Sequence, residues 1–158
     1  MYQIKGDNNG TELFEFLANN TLPEWSHIKT GLHEDNNAPN FIITSHSHNT
    51  EKGAYHLWDN QLKNGYNIRE MNHRHSNGIP IPSGLPGAKT YGAGDISFAR
   101  KISKYYKSMG QKSPSFNIFN CNGGYVNYSH SSIIPHYNQL MNYYHVEFKD
   151  GTLTYKQL

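Results

Sequence analysis

Two histidine triplets in the chain have the spacing of a two-pronged metal clamp. They are His46-Ser47-His48 and His73-Arg74-His75, in a chain with ten histidines. Because residues i and i+2 of a β-strand point to the same side, both histidines of such a triplet can bind one metal ion. Imidazole nitrogens are ligands that zinc prefers in proteins. The sequence therefore offers two alternative metal sites.

The second triplet stands in the better context for a metal site. A β-favouring segment, Asn67–Met71, leads into it, and a glycine- and proline-rich segment, 76–94, leaves from it. That segment returns at Asp95, which we predict as the N-cap of a helix, where the helix dipole also favours a carboxylate. Two histidines and one carboxylate leave tetrahedral zinc a fourth position for water, as in catalytic sites. We therefore expect one zinc ion on His73, His75 and Asp95.

The order of these features resembles a family of zinc peptidases, the JAMM (MPN-type) enzymes. Even more similar are the JAB-like toxin domains at the C-termini of RHS-type and other bacterial polymorphic toxins. The segments that carry the resemblance are ELFEFLANNTLPEWSHIKTG, NGYNIREMNHRH, PSG and YGAGDISFA, and it covers roughly residues 10–130.

The resemblance implies an α/β/α sandwich that cleaves a peptide or isopeptide bond. It also implies that His73, His75 and Asp95 are the zinc ligands and that Glu24, just after the first helix, is the general base. The 49 positions from Glu24 to His73 leave room for a strand and a helix between them. Glu34 and Glu51 are alternative bases, although both fall in segments that are typical of polar loops.

The chain departs from the family pattern at three places. Ser76 replaces a proline after the second histidine, and Gly92 replaces a serine three positions before the aspartate. The separation from His75 to Asp95 is 20 positions, whereas eleven is usual in the family. Ser83 and Ser76 are the two alternatives for the missing serine, whose family role is to stabilise the tetrahedral intermediate. We expect the long segment 76–94 to lie beside the cleft and to select the substrate.

The first triplet has its own candidate carboxylate. Asp59 follows His48 by eleven positions, which is the usual family spacing. However, Asp59 falls late in a predicted helix, and only 22 positions separate Glu24 from His46. That interval is too short for the strand, helix and strand expected between base and ligands, so this site ranks second.

Composition excludes several other classes of protein. The net charge of +2 gives no reason to expect nucleic-acid or membrane binding. Cys121 is the only cysteine, which excludes an internal disulfide and a cysteine-built zinc site; we predict it as a small core residue at a strand end. No signal peptide or membrane span is recognised. We therefore expect a bacterial domain that a secretion system delivers, within a larger protein, to a target-cell cytoplasm.

Periodicity predicts an α+β fold, a sheet with helices packed on it and C-terminal β-hairpins, and the length suits a single domain over 1–158. The resemblance implies that the central sheet is mixed. The first helix is predicted from a capping box at Asn9 and Glu12, with Leu13, Phe14, Phe16 and Leu17 on its buried face. Hairpins are predicted around Asn122-Gly123 and Asp150-Gly151.

The predicted function is that of a zinc-dependent hydrolase acting on a protein or peptide, with a cognate immunity protein as a second partner. A metal-dependent nuclease is the first alternative, because His-rich α+β domains also occur among nuclease toxins. A non-catalytic binding module is the second alternative, which Gly92 in place of serine favours.

Overall fold

The computed structural model describes residues 1–32, 35–46, 52–86, 92–121, 124–133, 144–149 and 152–157. Its elements, in chain order, are β1 (Tyr2–Lys5), α1 (Asp7–Asn20), β2 (Ser26–Thr30), β3 (Pro39–Ile43), α2 (Gly53–Asn60), a 3-10 turn (Leu62–Asn64), β4 (Ile68–His73), α3 (Gly94–Ser108), β5 (Ser115–Asn120), β6 (Gly124–Tyr128), β7 (Tyr144–Lys149) and β8 (Thr152–Gln157). The chain is organised as two compact units, 1–80 with 112–127 and 81–111 with 128–158. The prediction of a single domain stays a prediction.

The first unit is built on a six-stranded mixed sheet. Its strand order is β1-β3-β2-β4-β5-β6. The β4–β5 pair is parallel, whereas β1 with β3, β3 with β2, and β2 with β4 are antiparallel. The predicted α+β class with a mixed central sheet is confirmed. Strand β1 was missed, because a stretch of four residues at the chain start carries too little alternation to be recognised.

Helix α1 covers one face of this sheet. Its buried Phe14 and Ala18 pack against Trp25, Ile42 and Phe119. The predicted place of Phe16 on the buried face was wrong, since that ring is 61% exposed. Two residues along a helix correspond to a rotation of about 200°, which turns Phe16 away from the face that Phe14 buries.

The predicted capping box of α1 was also wrong. The helix begins at Asp7, two positions before Asn9, with Gly6 as its N-cap. The Asn9 amide instead donates a hydrogen bond to the Lys5 carbonyl at 3.1 Å.

Strand β2 is buried on both faces, and this burial fixes the register in which it pairs with its neighbours. His27 stands opposite Ile42 on the α1 face, and its ring lies 5.4 Å from that of Phe14. Ile28 stands opposite both Phe41 and Met71 and projects to the other face. Because a one-residue slip would exchange these two faces, the register of β2 against β4 is well specified.

A line of polar side chains crosses β2, β4, β5 and β6. It consists of Lys29, Glu70, Asn72, Asn117 and Asn127, joined by an ion pair of 3.1 Å and then hydrogen bonds of 2.7, 2.8 and 3.0 Å. Asn72 is buried, and a buried polar group without a partner is strongly destabilising, so its bonds to Glu70 and Asn117 favour one register. β4 ends one residue after Asn72, at His73.

The second unit contains α3 and the β7–β8 pair. Residues Ile96, Ala99, Ile102 and Tyr106 are the buried residues of α3, at the three- and four-residue spacing of one helical face. The β7 and β8 strands pair antiparallel, which confirms the second predicted hairpin, although its turn lies outside the described residues. The β5–β6 neighbours of the first unit confirm the first hairpin, whose turn also lies outside them.

Candidate metal centre

His73 and His75 lie where β4 ends, beside the segment that joins α1 to β2. Ser26 stands opposite His73, and the Arg74 N–H donates to the Trp25 carbonyl at 3.0 Å. Because side chains alternate along paired strands, His73, opposite Ser26, projects to the face opposite the one that carries His27 and Asn72, which is the face away from α1.

The two imidazoles are tilted and bring their Nε2 atoms together. The Nε2 atoms of His73 and His75 lie 2.9 Å apart. On the far side of the second ring, Nδ1 of His75 lies 2.8 Å from the Ile79 carbonyl oxygen. Because a carbonyl only accepts, Nδ1 of His75 carries the proton of that bond, and Nε2 of a neutral His75 then presents its lone pair towards His73.

This arrangement is suited to a metal ion. Two nitrogens bound at about 2.0–2.1 Å to one tetrahedral zinc are about 3.3 Å apart, close to the separation of this Nε2 pair. A ligating histidine commonly donates its other ring N–H to a backbone carbonyl, which fixes the tautomer and the ring plane. The Ile79 carbonyl provides that partner for His75. The pair is therefore suited to hold a metal.

Glu24 is a buried carboxylate on the neighbouring segment. Only 8% of its surface is exposed, and its Oε1 accepts a hydrogen bond from the Ser76 backbone N–H at 3.3 Å. The residue follows α1 by four positions and precedes β2, as the sequence predicts. The bond from Ser76 ties this carboxylate to the segment that carries the two histidines.

Asp95 lies in the first turn of α3. Its prediction as the N-cap was wrong, because the helix begins at Gly94 and Ala93 is the N-cap. The carboxylate oxygen Oδ2 accepts hydrogen bonds from the Ser83 N–H at 2.7 Å and from the Ser83 hydroxyl at 2.9 Å. Asp95 is thus held from outside its own helix.

The segment 76–94 does more than connect β4 to α3. It supplies the Ile79 carbonyl to His75 and the Ser76 N–H to Glu24. Sequence analysis missed both groups, because backbone donors and acceptors are present at almost every residue and carry no signature. The stabilising role predicted for Ser76 and Ser83 at a reaction intermediate stays a prediction.

The rival triplet is described only in part. His46 follows β3, is exposed and has a positive φ of 59°. Asp59, its candidate partner carboxylate, forms an ion pair of 2.7 Å with Lys63. His48 and the alternative bases Glu34 and Glu51 lie outside the described residues.

Cys121 is exposed. The prediction that it is a small core residue was therefore wrong. β5 ends one residue earlier, at Asn120, so the thiol falls beyond the last buried position of the strand.

Comparison with known protein families places the chain in a family. A family described as JAB-like toxin 1 matches residues 2–100 of the 158. The match covers more than half of the chain, and the chain belongs to this family. The matched range contains Glu24, His73, His75, Ser83 and Asp95, and it ends before β5, short of the residue 130 that the resemblance suggested. No curated protein and no solved structure gave a significant match. Within the described residues, no helix is both long and apolar enough to cross a membrane.

Proposed function

We propose that this domain is a zinc-dependent hydrolase that cleaves a peptide or isopeptide bond and forms the toxic part of a bacterial effector. Membership of the JAB-like toxin family supports a toxin role. The observation that carries the proposal is the facing His73–His75 pair, with Nε2 atoms 2.9 Å apart, on the segment to which the buried Glu24 is bonded.

The zinc ligands in this proposal are His73, His75 and Asp95, a set of two imidazoles and one carboxylate. Three protein ligands leave one position for water or substrate, as catalytic zinc requires. When bound, zinc supplies Lewis-acid activation of water and polarisation of the scissile carbonyl. The residues of the chain hold the zinc ion and move the proton.

Glu24 is the general base in this proposal. Its carboxylate takes a proton from the attacking water and later gives it to the leaving amine. The Ser76 N–H, 3.3 Å from Oε1, restricts the orientation of that carboxylate. A restricted base is effective because its geometry is set before the substrate arrives.

The substrate in this proposal is a protein or peptide, with an immunity protein as the inhibiting partner in the producing cell. The net charge of +2 supports neither nucleic acid nor a membrane surface as a partner. Delivery as part of a larger secreted protein, into a target-cell cytoplasm, belongs to the same proposal.

The test combines metal analysis with cleavage assays on one preparation. Protein purified without chelators should contain about one zinc per chain and should cleave a peptide or isopeptide library in a zinc-dependent way. Glu12→Gln, at an exposed position of α1, is the matched control for Glu24→Gln. Degradation of DNA or RNA without peptide cleavage would instead establish the nuclease alternative. Zinc binding without any cleavage would favour the binding module.

A further inference from the structure

The N-terminus of α3 is capped by a residue distant in sequence. Its own N-cap, Ala93, makes no side-chain capping bond. Instead the Asp95 N–H donates to the Ser83 hydroxyl at 2.9 Å, while the Ser83 N–H donates to Asp95 Oδ2 at 2.7 Å. Such reciprocal bonds define a capping box, in which the two partners are normally three positions apart. Here they are twelve positions apart.

The backbone carbonyl of Ser83 completes the same arrangement. The Ile96 N–H donates to the Ser83 carbonyl at 3.1 Å. In a continuous α-helix, that donor would pair with the carbonyl four positions earlier, at residue 92. Ser83 therefore occupies the place that residue 92 would have in an unbroken helix start.

Gly92 is displaced from that place. It has a positive φ of 77°, and its N–H donates to the Gly84 carbonyl at 3.1 Å. The chain consequently leaves the helix start at Gly84 and returns to the same point at Gly92. Serine at position 92 would be strained by this φ, which explains why glycine stands there.

Two glycines permit this close approach. A Cβ at Gly94 would lie 2.0 Å from the Ser83 hydroxyl oxygen, and a Cβ at Gly84 would lie 2.0 Å from the Ala93 carbonyl oxygen. Neither position accepts a side chain without moving backbone or the capping hydroxyl. The contact between Ser83 and the helix start is therefore built into the backbone of both segments.

We infer that Ser83 is the N-cap of α3 in space and the positioning residue for Asp95, and that the nine residues 84–92 are an insertion between them. Without these nine residues, Ser83 would stand three positions before Asp95, and His75 would precede Asp95 by eleven positions instead of 20. Both values are those of the family pattern. The departure at Gly92 is thus an insertion, and the serine is present as Ser83. The part of this inference that concerns a metal ligand rests on the proposed function.

The capping role is tested without metal, so that it does not depend on zinc. Unfolding midpoints are measured in chelator for Ser83→Ala, Ser83→Thr, Asp95→Asn and the Ser83→Ala/Asp95→Asn double variant. Ser83→Ala should lower the midpoint by a few degrees, and Ser83→Thr should restore most of it, because threonine also caps helices. The double variant should lose clearly less than the two single losses combined. Additive losses, or a Ser97→Ala control as damaging as Ser83→Ala, would overturn the cap.

The insertion is tested by shortening it. Replacing residues 86–91 by two glycines keeps the buried Leu85 and leaves Gly84 and Gly92 four positions apart, a spacing that a single α-turn closes. This variant should keep the helix content and unfolding midpoint of the parent in chelator. A loss as large as that of Ser83→Ala would show that 84–92 is an integral part of the helix start.

The positioning role is tested by zinc titration of the same variants. Ser83→Ala should weaken zinc binding about ten- to a hundredfold, as loss of a partner that orients a ligand usually does, whereas Ser83→Thr and the shortened variant should bind nearly as the parent does. If the parent binds no zinc, the proposed function and the positioning role fail together, and the unfolding data still decide the cap. Unchanged zinc affinity in Ser83→Ala would overturn positioning alone.

Discussion

The Nε2 atoms of His73 and His75 lie 2.9 Å apart, and the second ring is fixed from behind by the Ile79 carbonyl. This relationship separates the two histidine triplets. His46 is exposed on a residue with positive φ after its strand has ended. Rings that are oriented before the metal arrives bind it at a lower entropic cost, and the His73–His75 pair has that orientation.

The first prediction concerns which triplet binds zinc. His73→Ala and His75→Ala should each abolish stoichiometric zinc binding, because two protein ligands hold zinc much more weakly than three. His46→Ala and His48→Ala are the matched controls and should leave zinc content near one per chain. Atomic absorption on each purified variant gives the answer. Zinc that is lost with the His46 pair and kept without the His73 pair would reverse the assignment.

The second prediction concerns the base. Glu24→Gln keeps the shape of the side chain and removes its ability to take a proton. The variant should fold, bind zinc nearly as well as the parent, and lose on the order of a hundredfold or more in turnover. Glu12→Gln should retain full turnover, since Glu12 is exposed on α1. Full activity in Glu24→Gln would exclude the role, and loss of zinc would make Glu24 a ligand.

The third prediction concerns pH and the buried His27. Burial, followed by the charge of Lys29, lowers the pKa of His27 from its ordinary value near 6.5 to about 4, against the opposing hydrogen bond to Asn40 and the carboxylates of Glu70 and Asp7. Below pH 6.5, His27 binds a proton in the unfolded chain, whereas in the folded chain it binds one only near pH 4. Stability should therefore fall as pH decreases through this window, by about 3 kcal/mol in all.

Urea unfolding at several pH values between 7 and 4 measures this effect. His27→Gln should flatten the slope in this window, whatever it does to absolute stability. His130→Gln, at an exposed histidine, is the matched control. The lowered pKa values of Asp7 and Glu70 act in the same direction but at lower pH, because their contribution is lost only below their ordinary values of 3.8 and 4.5. An equal slope in parent and His27→Gln would contradict the prediction.

The fourth prediction concerns the approach of α1 to the sheet. A Cβ at Gly10 would lie 2.7 Å from the Asn40 Cβ. Asn40 accepts from His27 and donates to Asp7, so it has little freedom to move away. Gly10→Ala should therefore destabilise the protein by about 1–3 kcal/mol, although alanine is the better helix former. Asn19→Ala, at an exposed position of the same helix, should be neutral or stabilising in the same denaturation assay.

The sequence by itself determined the features that repeat along the chain. Alternation and helical spacing predicted most strands and helices. A strand or helix with one buried face carries apolar residues at a regular spacing, and this pattern lies within a short stretch of the chain. The spacing within His73-Arg74-His75 indicated the candidate metal ligands, and the Pro23-Glu24 context indicated the candidate base. Where local signals were weak, as at Asn9, Phe16 and Cys121, the predictions were wrong.

Only the tertiary structure decided how the site is held. The Ile79 carbonyl behind His75 is a backbone group that any residue could supply, and the Ser76 N–H on Glu24 is one that any residue except proline could supply. The role of Ser83 was hidden for a related reason. Its partner Asp95 is twelve positions away, and a capping box is recognised in a sequence only when its members are three positions apart. Which residues distant in sequence lie close together is set by the folding of the chain, so a local sequence pattern does not predict it.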